Sequence, residues 1–363
     1  MSCPRSVLFC MAVGIQLTQT ICAQEARSGL DLRGTLTGQM VASNELTKEP
    51  RSGSPVVPGS RSVIYPTWKI SDSWFLTGAF QLVTRPYYYE EFSTTGYGVK
   101  GSVLQATLNY SRVSPKGSIL VRAGQMSTAF GSFPLRYDDA ENALVDLPIG
   151  YGYYYAPVTM HGIAGAQIDA TRGKLDGRIQ FANSSPANPR SLFSDDQYGN
   201  WAGGAGYTIR QGFRVGVSGY RGPYLSHNYP YYFPGELSPS ELKAHAVGID
   251  ASWAHGHTIA QGEFQKFVMP YTAIPTFRES AGYGEIRQVL SPRWFLAGRY
   301  GQSTSNAAGN ERRIEASAGF RLFRFELIKA AYEVRHYSVS YKDDDHTFAV
   351  QFVTTLHAAA GRE

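Results

Sequence analysis

The stretch LDLRGTLTGQM, Leu30 to Met40, sorts by parity. Leu30, Leu32, Gly34, Leu36, Gly38 and Met40 fall on one side, and Asp31, Arg33, Thr35, Thr37 and Gln39 on the other. A period of two places alternate side chains on opposite faces of a strand, whereas a helix would mix the two sets on every face. The run is also about the length of a strand that crosses a bilayer, roughly 9–11 residues.

The same parity recurs along the chain. Trp74, Leu76, Gly78, Phe80 and Leu82 oppose Thr77, Gln81 and Arg85, and Leu104, Ala106, Leu108 and Tyr110 oppose Gln105, Thr107, Asn109 and Ser111. Leu175, Ile179 and Phe181 oppose Asp176, Arg178 and Gln180; Val215 and Val217 oppose Arg214 and Ser218. Ile314 opposes Glu315, Ile328 and Tyr332 oppose Lys329 and Glu333, and Phe348 and Phe352 oppose Thr347 and Gln351. The weakest segments are 63–70, which contains Pro66, and 278–289, where Glu285 and Arg287 share a face with Tyr283.

Between these segments short and long connections alternate. Tight turns are expected near 71–73, 114–117, 172–174, 210–212, 254–256, 291–293 and 322–324. Longer loops are expected near 44–61, 86–96, 127–160, 183–200, 222–243, 270–277, 302–311 and 336–345. Seven turns and eight loops join sixteen strands, with both chain ends on the tight-turn side. One face of each strand is oily and the other holds Arg, Lys, Asp, Glu and Gln. A soluble sandwich would bury the oily face and show polar residues outside; hydrocarbon around a wet interior accounts for this arrangement instead. The expected fold is all-β, a transmembrane antiparallel up-and-down barrel with short periplasmic turns and long extracellular loops. Trp68, Trp74, Trp253 and Trp294 sit against tight turns and Trp201 where a long loop rejoins the sheet, the positions of two interfacial girdles.

Composition agrees. The 363 residues include 24 Tyr, 19 Phe and 38 Gly against 17% charged residues, which suits two-faced strands. Arg5, the apolar stretch Val7 to Ile15 and the small residue Ala23 read as a cleaved signal peptide, 1–23, leaving a mature barrel over 24–363. A lipoprotein reading at Cys22 is disfavoured by bulky Ile21 before it. Cys3, Cys10 and Cys22 all fall in that leader, so the mature chain carries no disulfide or thiolate metal site. The leader holds Arg5 and no acid, so the net charge falls from +5 to +4, too mild to point to nucleic acid.

Chemistry-bearing motifs are sparse. Of the eight histidines only His255 and His257 are close, on a tight turn where a metal would need further ligands. Asp343, Asp344 and Asp345 could hold a divalent cation or be a solvated loop tip. Tyr87, Tyr88 and Tyr89, and Tyr229, Tyr231 and Tyr232, could stack on sugar rings or pack their own loops. No cofactor, catalytic or metal site is expected, and no enzyme.

The most distinctive stretch is 127–160. It starts through Phe130-Gly-Ser-Phe-Pro134, presents Arg136, Asp138, Asp139 and Glu141, and continues to Tyr151, Tyr153, Tyr154 and Tyr155. Together with Arg122-Ala-Gly-Gln125, Tyr151-Gly-Tyr-Tyr-Tyr-Ala-Pro157 and Phe181-Ala-Asn-Ser-Ser-Pro-Ala-Asn-Pro-Arg190, these residues give a chain that resembles the porin O and P-like (phosphate-selective porin-like) superfamily of bacterial outer-membrane channels over nearly its whole mature length. The dense lysine and arginine rows of that family's anion-selective members are not matched here, and the end, Leu356 followed by His357 to Glu363, departs from the usual final aromatic.

The resemblance implies a third loop that folds into the lumen. The expected constriction is Arg136, Asp138, Asp139 and Glu141 facing wall arginines such as Arg122 and Arg178; the alternative is a solvated surface loop. The expected function is passive diffusion of small hydrophilic solutes or ions across the outer membrane, among lipid and lipopolysaccharide, in a barrel that the resemblance implies can trimerise. A non-conducting barrel whose loops bind a glycan or other surface ligand, or act structurally, is the competing expectation.

Overall fold

The computed structural model describes residues 29–44, 56–85, 87, 98–151, 156–159, 162–183, 199–225, 241–272, 274–306, 309–338 and 343–361. The expected signal peptide with its cysteines, Tyr88 and Tyr89, Tyr153 to Tyr155, and Tyr229 to Tyr232 lie outside the described residues.

Sixteen strands follow in order: β1 (Gly29–Ser43), β2 (Val56–Lys69), β3 (Trp74–Arg85), β4 (Gly98–Ser114), β5 (Gly117–Met126), β6 (Ile163–Arg172), β7 (Leu175–Ala182) and β8 (Asn200–Arg210). The second half comprises β9 (Phe213–Pro223), β10 (Lys243–His255), β11 (Thr258–Met269), β12 (Phe277–Val289), β13 (Trp294–Ser305), β14 (Gly309–Phe323), β15 (Glu326–Tyr337) and β16 (Asp345–Gly361). Each strand pairs antiparallel with its sequence neighbours, and β1 pairs with β16 from Gly29 opposite Gly361 to Ser43 opposite Thr347. Closure leaves no strand edge and satisfies every ladder within the sheet, the condition for crossing hydrocarbon with strands. Among the described residues no helix is long and apolar enough to cross a membrane.

Burial is inverted relative to a soluble domain. On β1, Leu36 and Met40 are 41% and 52% exposed, whereas Thr37 and Gln39 between and beside them are 4% and 5%. On β14, Ile314 is 58% exposed and its neighbour Glu315 1%. Apolar side chains therefore point out and polar ones in, the arrangement read from parity. Trp68, Trp74, Trp201 and Trp294 all stand outward; Tyr110 packs beside Trp74 at 5.1 Å, Phe181 beside Trp201 at 4.9 Å and Phe320 beside Trp294 at 4.5 Å.

The tight connections fall where expected to within a residue or two. The turn through Gly256 is representative: its φ of +56° is open to glycine at little cost and lets β10 reverse directly into β11. His255 stacks on Trp253 there, and no cluster of metal-ligating groups exists among the described residues.

Three local readings are corrected. Leu104 is not on the outward face: the β3–β4 register shifts between Ala79 and Phe80, and the extra residue on β4 turns Leu104 inward against Val63 and Ala79. β2 begins at Val56, inside the loop expected over 44–61. The expected loop 302–311 shrinks because β13 runs to Ser305 and β14 starts at Gly309. Beyond Leu356, β16 continues to Gly361, held by β1 through His357 opposite Arg33 and Ala359 opposite Asp31. Pro66, which lacks an N–H, coincides with a break in the β2–β3 ladder between Ile64 and Thr67.

Candidate functional site

The polar interior is not empty. The segment between β5 and β6 turns into it and packs along the wall, so the larger apolar clusters form between this loop and the inward faces of the strands. Phe130 packs on Phe267 of β11 at 6.0 Å between ring centres, and Val145 meets Val41, Ala331 and Ala349. Ala143 and Leu144 meet Phe295, Leu327 and Val353.

Local sequence sets the inward course. Gly131 adopts φ +76°, a left-handed conformation, and a Cβ there would collide with the Tyr151 hydroxyl. Pro134 then sits in the first turn of a short 3-10 segment, Phe133–Arg136. The wall receives each step. Gln180 of β7 accepts from Ala129 N at 2.9 Å, and Arg178 of the same strand donates to the Gly131 carbonyl. Glu263 of β11 accepts from the Ser132 hydroxyl at 3.0 Å and the Tyr151 hydroxyl at 2.7 Å.

The middle of the loop carries the residues expected to form a constriction. Arg136 pairs with Glu285 of β12 at 3.2 Å and donates to the Tyr283 hydroxyl at 2.9 Å. Asp138 accepts from Thr35 of β1 at 3.0 Å and from the Tyr65 hydroxyl of β2. Asp139 accepts from Thr37 at 2.9 Å and Tyr87 at 3.0 Å, and pairs with Arg61 of β2 at 3.3 Å. Burial, then the Asp139 carboxylate beside it, push the Tyr87 hydroxyl well above its ordinary pKa, which keeps it a donor. Glu141 is exposed, within electrostatic reach of Asp138, Arg287 and Arg321.

The two wall arginines behave differently from expectation. Arg122 turns to Asp169 of β6 at 2.6 Å rather than to a loop carboxylate, because the cross-strand acid is nearer than any loop acid. Arg178 holds loop backbone, as above, rather than a carboxylate. The cation that does meet Asp139 is Arg61, whose guanidinium also lies over the Tyr137 ring at 4.1 Å. The sequence puts Arg61 at the edge of the loop expected over 44–61; on β2 it shares the inward face of Val63.

The returning half of the loop is held by a buried charge array that sequence reading assembled only in part. Asp146 sits between Arg313 of β14 at 3.3 Å and Arg335 of β15 at 2.8 Å. Arg299 of β13 bridges Glu285 at 2.9 Å and Glu315 at 3.1 Å while donating to the Asp146 carbonyl at 3.0 Å. Lys329 of β15 donates to the carbonyls of Asp139, Asn142 and Leu144 at 2.9, 3.0 and 3.1 Å. Removing one partner from such a buried pair costs about 3–5 kcal/mol, so this side of the loop is fixed to the wall. Parity of β14 and β15 places Arg313 and Arg335 inside; nothing in the local sequence marks Asp146 as their common partner.

The opposite wall is wetter. Arg122 and Asp169 are 9% and 23% exposed, and Arg214 of β9 at 16% joins Asp176 of β7 at 2.6 Å and Asp250 of β10 at 2.7 Å. On the β12–β14 side, Arg299, Glu285 and Glu315 are 2% exposed or less. Solvent therefore reaches the inner wall at these pairs on β5, β6, β7, β9 and β10, while the start of the loop meets the same wall at Arg178, Gln180 and Ser218.

No protein-family model matches the chain, and no curated protein is similar to it in sequence. Solved structures are similar in fold. An anion-selective porin from Comamonas acidovorans superposes with a TM-score of 0.65 at 10% identity, over 91% of this chain and 100% of that one. OprB of Pseudomonas putida gives 0.62 at 10% identity, over 94% and 97%. OmpT of Vibrio cholerae in its trimer form gives 0.57 at 10% identity, over 91% and 100%. The closed sixteen-strand antiparallel barrel of this chain is thus the fold of bacterial outer-membrane porins.

Proposed function

We propose that the chain is a porin-like outer-membrane channel through which small hydrophilic solutes or ions diffuse passively, with the loop 127–160 setting the aperture. The observation that carries this reading is the division of the lumen: one bank filled by a loop fastened through Asp146, Asp139 and Arg136, the other lined by the water-facing row Arg122–Asp169 and Asp176–Arg214–Asp250. A channel needs no cofactor and performs no chemistry on its solute. Fixed charges of both signs facing each other across a narrow passage create a transverse field that sorts solutes by charge and dipole.

In this reading residues 1–23 are a cleaved export signal, the tight turns face the periplasm, and the longer loops face outward among lipid and lipopolysaccharide. Kinship with the porin O and P-like superfamily and assembly as a homotrimer are finer parts of the same proposal. Conductance of the purified barrel in a planar bilayer tests it: discrete ion steps are expected, altered in size or ion preference by Arg136→Ala with Asp138→Ala. The apolar contacts between loop and wall favour one competing reading, a closed barrel that presents a surface ligand site. A folded but electrically silent protein would establish that reading instead.

A further inference from the structure

On the outer surface, strands β9 to β12 end in a concentration of basic side chains. Trp201 of β8 lies opposite Arg221 of β9, Arg221 opposite His245 of β10, His245 opposite Val268 of β11, and Val268 opposite Arg278 of β12. These residues form one cross-strand row with outward-facing, exposed side chains. Lys266 lies two positions from Val268 on the same outward face, and Lys243 two positions beyond His245; both are exposed. Neighbouring strands are about 4.8 Å apart, so the five basic groups fall within roughly 15–20 Å of one another.

Two features point to a ligand. The outward face of β9 to β12 holds no acid: Glu263, Glu279 and Glu285 are all turned into the lumen. Among the described residues no salt bridge engages Arg221, Lys243, His245, Lys266 or Arg278, whereas on the far side of the barrel outward His336 is matched by Asp344 at 2.7 Å. The row also marks the edge of an apolar band. On β10, Val247, Ile249 and Ala251 separate His245 from Trp253, a span of about 26 Å along the strand and about 20 Å after a tilt of roughly 40°. Trp201 at the same level is an interfacial residue by chemistry.

We propose that this row is a binding site for phosphorylated lipid headgroups of the membrane leaflet at the loop end of the barrel. Phosphate oxygens accept charge-assisted hydrogen bonds from Arg221 and Arg278, with Lys266 reaching up from below and Lys243 down from above. Acyl chains then lie along Val217, Val247, Ile249 and Phe264. The proposal rests on the barrel lying in a bilayer and not on conduction, so an electrically silent barrel leaves it standing.

The test uses the full barrel folded in neutral detergent. It is titrated with a bis-phosphorylated glycolipid, with a lipid of the same chains and no phosphate, and with inorganic phosphate, and binding is read by native mass spectrometry. A basic side chain near an anionic lipid surface contributes roughly fivefold to binding, so Arg221→Gln, Lys266→Gln and Arg278→Gln together are expected to weaken the phosphorylated lipid on the order of a hundredfold. Arg312→Gln, outward on β14, is expected to change nothing. Heat-modified gel mobility verifies that each variant is folded, and an unchanged channel conductance separates this site from the lumen. Equal binding of the phosphate-free lipid, retention of the phosphorylated lipid by the triple variant, or an equal loss in Arg312→Gln would overturn the proposal. Inorganic phosphate binding as tightly as the lipid would overturn it too, since a free anion would then be the occupant.

Discussion

The Asp146 carboxylate meets the Arg335 guanidinium at 2.8 Å across 189 residues of sequence. That contact, with Arg313 on the other side, joins the loop to β14 and β15 at a deeply buried place. Asp146→Asn keeps the shape and removes the charge, leaving two guanidiniums short of a buried partner. Arg313 retains Glu311 and Arg335 retains Glu333, so a loss of about 3 kcal/mol, the lower end for a broken buried pair, is expected. The sixteen-strand ladder does not depend on it, so the barrel survives while the loop loosens. Single-channel records should show a larger and noisier conductance, and Arg335→Gln added to Asp146→Asn should cost less than the sum of the two alone.

Arg214 lies between Asp176 and Asp250 on the wet bank. Arg214→Gln leaves two carboxylates without their shared cation. Under a salt gradient the reversal potential should move toward cation preference, and Arg214→Lys should restore most of the original value. The stability change should stay within about 1 kcal/mol, since the pairs are partly solvated. An unchanged reversal potential would remove this wall from the permeation path.

Strand number, closure and the inside-out faces were legible because a barrel repeats one local rule sixteen times, and Leu30 to Met40 already contains it. Leu104 escaped because a bulge shifts parity by one residue, and a single extra residue leaves no mark in composition. The candidate site was half legible. Arg136, Asp138 and Asp139 were found as a charged run in a long loop, but their partners Glu285, Tyr65 and Arg61 lie 149, 73 and 78 residues away. Parity says that those partners face inward; only the path of the loop says which of them it touches. Arg122 had the right face and the wrong partner, since Asp169 on the adjacent strand is closer than any loop acid.

Glu141 should give the lumen a pH response. Solvent reaches its side chain, yet the protein wall around it, and then Asp138, raise its pKa above the ordinary carboxylate value, with Arg287 and Arg321 opposing. As pH falls, Glu141 therefore takes up its proton before an unperturbed glutamate near about 4.3 would. The loop bank loses a negative charge, and selectivity should move toward anions in the window just above that value. Linkage has the same sign: the folded state holds this proton more tightly than the unfolded chain, so its contribution to stability is present at low pH and lost as pH rises through the raised pKa. Glu141→Gln should flatten that part of the selectivity curve between pH 7 and 4.

Gly131 starts the loop on its inward course. Gly131→Ala places a Cβ against the Tyr151 hydroxyl and forces a left-handed backbone on a residue with a side chain, costing about 1–2 kcal/mol in backbone strain alone. The Ser132, Tyr151 and Glu263 contacts should loosen together, seen as a broadened conductance distribution and faster protease cleavage within 127–160. Adding Tyr151→Phe removes the colliding oxygen but not the backbone strain, so it should rescue the phenotype only in part.

Ile249, 58% exposed on β10, stands about midway between Trp253 and His245 on the outer face. If hydrocarbon covers that face, Ile249→Arg places a charge near the bilayer centre and should destabilise the barrel by about 2–4 kcal/mol, measured by urea titration of folding into phosphatidylcholine vesicles. Ile249→Leu should be silent. Trp253→Arg, at the edge of the band, should cost distinctly less, because the penalty falls toward the interface. A barrel standing in water gives the reverse order: Ile249→Arg would be harmless and would raise solubility. The depth dependence of these two arginine substitutions therefore reads out which solvent the outer face was built for.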